Sequence, residues 1–434
     1  MENELLPIHP LALVFTIIAG VLMLFLPRRA AMVPLIFAIV FMPLQQRIVV
    51  ASLDFFILRV LVLYGWARVF MRAEYQGLTI NRIDKLMFLW VISGTAAYTL
   101  LWRTEAAFVN RLGSSFDIIG IYFLTRFLVR DFEDIVWVAK SFAVVSIPVA
   151  TAMVIEKQSG RNLFSIFGGV PDFTFIRDGK LRCQGAFAHS ITAGTFGASL
   201  LPVFVSLGWL KGHGKMIMLL GAISAAIITI SSSSSGPAAA FMAGIAGLLM
   251  WRWRANMRPV RWGFALMVLM LHIVMKAPVW ALLGRARIFG ASTGYHRFNL
   301  FDQFVRRFDE WWLFGVKSTE DWGYYLFDVT NHFIRIAVDG GLLTLVLFIF
   351  ILAYAFQSVG RAVKAEDETF KKRIYWALGA SLFVHIVSFM GVSYFDQIKV
   401  VLYILLAMIS ALRDAYPREA PARAPALRLS GQTN

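Results

Sequence analysis

The chain has 434 residues, 59% of them hydrophobic and only 16% charged, against roughly a quarter charged in soluble domains. Apolar runs of membrane-crossing length recur from end to end, which excludes an ordinary soluble domain and also an outer-membrane barrel, whose segments are short and alternating. The net charge of +16 would suggest nucleic acid in a soluble protein, but Lys and Arg enrich the cytoplasmic loops of membrane proteins, so no nucleic-acid partner is expected.

The fold expected is an all-α polytopic membrane protein of about 12–13 transmembrane helices. Candidate spans lie near 11–26, 32–44, 53–69, 83–101, 116–128, 135–155, 191–210, 216–230, 237–250, 262–275, 333–356, 374–390 and 400–412. The second and fifth are short and read as re-entrant or merged. Glu2 and Glu4 replace a basic leader region, and no small-residue cleavage site follows the first apolar run, so an uncleaved first span is expected.

Basic residues mark alternate loops. Arg28 and Arg29 follow the first span, and Arg68, Arg72, Arg82 and Lys85 flank the next inner loop. Arg130, the pair Lys211 and Lys215, the run Arg252 to Arg261, and the run Arg361 to Arg373 continue the series. With strict alternation all of these share one side, and the positive-inside rule makes that side cytoplasmic. The organisation expected is N-terminal spans over 1–155, a first periplasmic loop at 156–189, central spans over 190–278, and a large periplasmic loop at 279–331 with short interfacial helices. C-terminal spans over 332–413 and a disordered cytoplasmic tail at 414–434, rich in Pro, Ala and Arg, complete it.

Both outward loops carry arginines on the side where the rule disfavours them, which points to anion binding as much as to structure. The first ends in Arg182, Cys183, Gln184, Gly185, Ala186, Phe187, Ala188 and His189. Gly185, Gly194 and Gly197 permit close backbone approach. Arg182 offers a planar fork of donors suited to phosphate, the alternative being an interfacial arginine that snorkels. His189 reads as a helix-start residue. Cys183, the single cysteine, excludes a disulfide framework and a cysteine metal cluster, and reads as inert. Ser231 to Ser235, before Gly236 and Pro237, form an unusual run of hydroxyls between two spans. Ser235 suits a helix cap, and five serines suggest a polar pocket.

The second loop holds Arg285, Arg287, Arg297, Arg306 and Arg307. Phe298, Phe301, Val305, Phe308 and Trp312 recur at helical spacing and predict an amphipathic interfacial helix. Trp311, Trp312, Trp322, Tyr324 and Tyr325 read first as an interfacial aromatic belt, with stacking on sugar rings as the functional alternative. At the mouth of the next span stand Thr330, Asn331, His332, Arg335 and Asp339, then Gly340 and Gly341. Arg335 and Asp339, four apart, share a helical face. His332 suits a general base toward a hydroxyl, against a plain hydrogen-bonded interfacial histidine.

In this order the motifs resemble the O-antigen ligase/polymerase family of bacterial membrane proteins. They are the R-x-x-G-x-F segment at 182–187, the serine-rich turn, the outer loop with Arg297 and a W-x-x-x-G step from Trp311 to Gly315, and Asp339-Gly-Gly-Leu-Leu. The resemblance spans about 181–350. It implies a metal-independent, multi-span glycosyltransferase of the inner membrane, in O-antigen or exopolysaccharide biosynthesis, with no cofactor. It would take a glycan from undecaprenyl diphosphate at the periplasmic face and join it to an acceptor glycan, alongside other polysaccharide-assembly proteins. By resemblance Arg182 and Arg297 are the diphosphate clamp and His332 and Asp339 complete the catalytic set, with Arg285, Arg287, Arg306, Arg335, Asn331 and Ser235 as substrate contacts. Departures lean toward a polymerase-like member. The family's histidine position is Thr330 here, with His332 two residues late, the serine turn lacks an arginine, and Asp339 stands where the family often has Glu.

The competing reading is a transporter or flippase of a lipid-linked glycan or another anionic substrate, which should show ionisable groups inside spans and broken helices. Asp54, Arg59, Asp117 and Arg126 are the residues of that kind. A third reading, a structural membrane subunit, leaves the outward arginines without a purpose.

Overall fold

The computed structural model describes residues 6–50, 53–208, 213–282 and 294–415. They form helices α1 (Pro10–Phe25), α2 (Met32–Phe41), α3 (Ile57–Met71), α4 (Arg82–Trp102), α5 (Glu105–Leu128) and α6 (Phe132–Ser159). Then come α7 (Ser190–Leu207), α8 (His213–Ser231), α9 (Ser235–Leu249) and α10 (Met257–Val274). The second long segment carries α11 (Gly294–Arg306) and α12 (Phe308–Trp311), and the chain closes with α13 (His332–Ala365), α14 (Thr369–Phe389) and α15 (Gln397–Ala415). The strands are minor. β1 (Leu6–Pro7) runs parallel to β2 (Gln46–Val50), which pairs antiparallel with β3 (Leu53–Phe56), and a small hairpin joins Ile176–Arg177 to Lys180–Leu181.

Each segment expected as a span overlaps a helix, although the third, 53–69, opens on strand β3 and becomes helical only at Ile57. Among the described residues, however, only six helical runs are long and apolar enough to cross a membrane: Arg82–Trp102, Phe132–Ser159, Ser190–Leu207, Gly214–Ser231, Ser235–Val274 and His332–Ala365. This is fewer than the 12–13 expected. Pro10–Phe25 and Gln397–Leu412 are apolar but shorter. The fifth segment is corrected outright. Thr104 accepts from the Ala107 N–H and starts α5 at Glu105, giving a helix of 24 residues with Arg111, Asp117 and Arg126 along it. Two expected spans, 237–250 and 262–275, are joined by a 3-10 turn, Met250–Asn256, into one helical run. No side chain of α10 is buried, so its apolar surface faces outward all round.

Helix starts follow capping chemistry legible in the sequence. Asn81 with Asp84 and Asp131 with Asp134 form capping boxes at α4 and α6. Asn331 accepts from the N–H groups of Phe333 and Ile334 and fixes the start of α13 at His332. Buried along nearly its whole length, α7 packs against α8, α9 and α14. Gly197 permits the closest approach, since a Cβ there would lie 2.5 Å from the Ala225 carbonyl oxygen of α8.

One end of the bundle is stitched by ion pairs. Arg28 contacts Asp134 at 2.6 Å, Arg29 reaches Asp131 at 3.4 Å, and Arg68 meets Glu74 at 2.8 Å. Arg126 meets Asp84 at 3.0 Å with both side chains sealed from solvent, and Asn81 bonds Ser410 Oγ at 2.8 Å. The basic loops at 28–31 and 68–82, the start of α6 and the end of α15 therefore converge, as charge alternation required. The two long segments lie at the other end, called here the loop end.

There the second long segment builds a small core of its own from Leu300, Trp311, Trp322, Leu326 and Val329 against Ile334, Ala337 and Val338 of α13. This corrects two expectations. The amphipathic stripe is displaced, because the helix breaks at Arg307 and shifts phase, leaving Val305, Phe308 and Trp312 exposed while Leu300 and Trp311 are buried. Trp311 and Trp322 belong to that core and not to an aromatic belt, their indole N–H groups bonding the Phe304 carbonyl and Glu310 Oε2. The Trp311-to-Gly315 turn then crosses α13. Val316 N–H donates to the Val338 carbonyl and Leu342 N–H to the Trp312 carbonyl, both at 2.8 Å. Gly341, at φ 73°, interrupts α13 at this crossing.

Candidate functional site

The loop between α14 and α15, with the first residue of α15, organises the site: Met390, Gly391, Val392, Ser393, Tyr394, Phe395, Asp396 and Gln397. Three of the residues singled out in the sequence touch it. Arg297 Nη2 points at the Gly391 carbonyl at 3.5 Å, a marginal hydrogen bond. Asn331 Nδ2 lies 3.9 Å from Met390 Sδ. The Tyr394 N–H donates to His332 Nδ1 at 3.2 Å. At its ends, Asp396 accepts from Gln45 at 3.2 Å, and Gln397 Nε2 donates to the Ala186 carbonyl at 2.8 Å. The last contact joins the loop to the 182–189 segment.

That segment is held from below by Glu156, which accepts from the N–H groups of Gln184 and Gly185 at 3.0 Å each. Asn162 donates to the Gly185 carbonyl at 2.8 Å. The result aims Arg182 inward. Its side chain is 7% exposed, Nη2 donates to Ser234 Oγ at 2.7 Å, and Nε has no partner among the described residues. Burial, then the nearby Arg177, lowers its pKa from the ordinary arginine value. The serine turn is corrected here. Ser234, and not Ser235, takes the helix-cap position, and its side chain makes no capping bond; Ser235 is the first residue of α9. Ser231, Ser232 and Ser234 are buried, and Ser233 receives Lys157 Nζ at 2.6 Å, so Ser232, Ser233 and Ser234 bond neighbours within a packed turn. His189 caps α7, its Nδ1 accepting from the Ile191 N–H at 3.0 Å, as a helix-start residue should. Burial, with Arg182 and Arg177 nearby, lowers its pKa to about 4. Cys183 is buried and free, and burial pushes its thiol up to about 12, which keeps it protonated and unreactive.

Half-buried Arg297 makes no ion pair with a described residue, and burial lowers its pKa too. Arg335 and Asp339 pair at 3.0 Å on α13, as their spacing requires. Arg306 is turned to solvent and pairs with Asp302 at 2.6 Å, away from the other candidates. Arg285 and Arg287 lie outside the described residues.

His332 was expected to act as a base, and its surroundings bear on that role. Its ring sits among Phe348, Phe389 and Tyr394, with centroids 5.7, 4.8 and 5.2 Å away. His385, about one turn from the end of α14, anchors Tyr394 from beneath with Nδ1 2.7 Å from the phenol oxygen.

Sequence reasoning passed over Lys399. It stands two residues into α15, within electrostatic reach of Asp396, Asp339, Arg111, Arg335 and Asp117, yet forms no ion pair with a described carboxylate. Arg59 holds Asp117 through two bonds, at 2.9 and 3.0 Å. Charged side chains of α5, α13 and α15 thus come within electrostatic reach of one another. Two signals were available for this cluster: ionisable residues inside apolar helices, and the polar break at 390–397 between the last two spans. Among the described residues no group of His, Cys, Asp and Glu could hold a metal. No family model and no curated protein matches the chain.

Proposed function

We propose that the protein is a membrane glycosyltransferase of the polysaccharide polymerase or O-antigen ligase type, resident in a bacterial inner membrane with its loop end in the periplasm. One observation carries this reading. At the basic end, Arg28, Arg29, Arg68 and Arg126 each meet a carboxylate, whereas at the loop end Arg182 and Arg297 are buried or half-buried with no described carboxylate within ion-pair distance. Cations removed from water without a counter-charge are costly unless a ligand supplies the anion. A lipid diphosphate is an anion that a polytopic membrane protein meets at its surface.

In the reaction an acceptor hydroxyl oxygen attacks the anomeric carbon of the donor glycan. The bond from that carbon to the phosphate oxygen breaks, and undecaprenyl diphosphate leaves with the electron pair. The hydroxyl proton passes to solvent or to the released diphosphate. Arg182 and Arg297 stabilise the charge that builds on the leaving oxygens. The test uses purified protein in detergent with an undecaprenyl-diphosphate-linked oligosaccharide and its native acceptor. Release of undecaprenyl diphosphate should fall about 10²- to 10³-fold in Arg182→Ala and in Arg297→Ala.

A specific observation favours a second reading, a transporter or flippase. Here α13 is broken at Gly341, and Arg59, Asp117 and Lys399 lie inside the bundle. Wild-type protein that releases no lipid, yet moves a lipid-linked glycan across liposome membranes, would replace the enzyme with the transporter.

A further inference from the structure

The hydrogen bond between Tyr394 and His332 has a chemical consequence for the imidazole. A backbone N–H can only donate, so His332 Nδ1 must present its lone pair to the Tyr394 N–H, 3.2 Å away. A neutral imidazole then carries its hydrogen on Nε2. The ring cannot exchange its two nitrogens by a simple flip, because Phe348, Phe389 and Tyr394 pack around it. Tyr394 is itself held from below, its hydroxyl 2.7 Å from Nδ1 of the fully buried His385. His332 keeps 8% of its surface open, and no described residue takes up its Nε2. The ring lies within electrostatic reach of Arg335 and Lys399, so an Nε2–H group there adds a neutral donor beside two cations.

We propose that His332 donates a hydrogen bond from Nε2 to an anionic oxygen of the bound lipid diphosphate and does not act as a base, and that Tyr394 and His385 are positioning residues that hold this tautomer. The proposal rests on the glycosyl-transfer reading for the identity of the ligand, but the tautomer does not. A base must accept a proton at the nitrogen facing the substrate, and here that nitrogen already carries one.

Two measurements test it. The first is ¹⁵N spectroscopy of the histidine rings in the wild-type protein, assigned with His332→Gln. An Nε2-protonated, Nδ1-bare signal for His332 is expected, and an Nδ1-protonated signal would overturn the proposal. Tyr394→Phe cuts the link to His385 and should give a mixture of both tautomers, which a residue with a merely structural role would not produce.

The second compares His332→Gln with His332→Ala, using undecaprenyl diphosphate as the binding probe and its release from the glycan donor as the rate. A glutamine amide can place an N–H near the Nε2 position but cannot serve as a base. As a donor, the glutamine variant should lose about threefold in binding and the alanine variant about tenfold or more, the loss of one charge-assisted hydrogen bond. If His332 were the base, both variants would lose about 10²- to 10⁴-fold in rate alike, and the proposal would be wrong. Wild-type protein that neither binds undecaprenyl diphosphate nor releases it would sink the glycosyl-transfer reading and the ligand half of this proposal. The expected spectrum would still uphold the positioning half.

Discussion

Arg182 and Arg297 are withdrawn from solvent and form no ion pair with a described carboxylate. Both have lowered pKa values because burial disfavours the charged form. For the empty protein such a cation is a cost, so Arg297→Ala should leave the ligand-free melting temperature unchanged or raise it. It should also abolish the stabilisation that undecaprenyl diphosphate gives the wild type, about 2.7 kcal/mol at a hundred times Kd. Thermal unfolding with and without the lipid checks both. His189 supplies a pH-dependent counterpart. Its pKa falls from 6.5 to about 4 in the folded protein, so below pH 6.5 the unfolded chain binds the proton more readily. Its contribution is complete above pH 6.5 and is lost as pH falls toward 4. His189→Asn keeps a capping side chain at α7, and should lose less thermal stability than the wild type between pH 7.5 and 4.5. Equal losses would assign the acid sensitivity elsewhere.

At the scale of elements, two backbones meet where a side chain would keep them apart. A Cβ at Gly341 would lie 2.3 Å from the Leu313 carbonyl oxygen, and one at Gly315 would lie 2.1 Å from that of Val338. Both glycines also have left-handed φ values, 73° and 90°. Gly341→Ala therefore combines backbone strain, about 1–3 kcal/mol, with a clash that must push the 311–316 turn away from α13. The expected result is a lower melting temperature with faster proteolysis at that turn, and a variant as stable and as protected as the wild type would contradict the crossing. The motif read as W-x-x-x-G and the pair Gly340–Gly341 thus prove to be two halves of one contact. The 390–397 segment is the other organising element. It receives Arg297 and Asn331 from one long segment and His332 from the start of α13, and reaches Ala186 of the other long segment through Gln397.

At the scale of the molecule, ion pairs stitch the basic end, while at the loop end Arg182 and Arg297 form no ion pair with a described carboxylate. The buried Arg126–Asp84 pair, with Tyr122 Oη 2.6 Å from Asp84, belongs to the first. Removing one member leaves a buried charge, so Arg126→Ala should cost about 3–5 kcal/mol. The double replacement Asp84→Leu with Arg126→Met should recover much of that loss, since an apolar pair of similar volume needs no solvation. Melting temperatures of the two variants decide this, and a double variant no better than the single one would mean that the hydroxyl network to Ser410 dominates.

Helical segments, the helix-start role of His189 and the clustering of basic loops were legible in the sequence, because each depends on residues a few positions apart or on composition alone. Asn81 with Asp84, Asp131 with Asp134, and Arg335 with Asp339 are local patterns of that kind. The start of α5 was misread because charged residues on a packed helix look like a loop until their partners are known, and Asp117 finds Arg59 only across the bundle. The phase of α11 failed for a similar reason: the break at Arg307 serves the docking of Trp311, a tertiary demand. Which arginines are paired, which nitrogen of His332 faces outward, and the role of Tyr394, Asp396 and Lys399 depend on contacts between residues tens to hundreds of positions apart. The sequence by itself determined a polytopic helical chain with one polar end. Only the tertiary structure decided which charges at that end are left without a partner, because pairing is a property of distance in space and not of order along the chain.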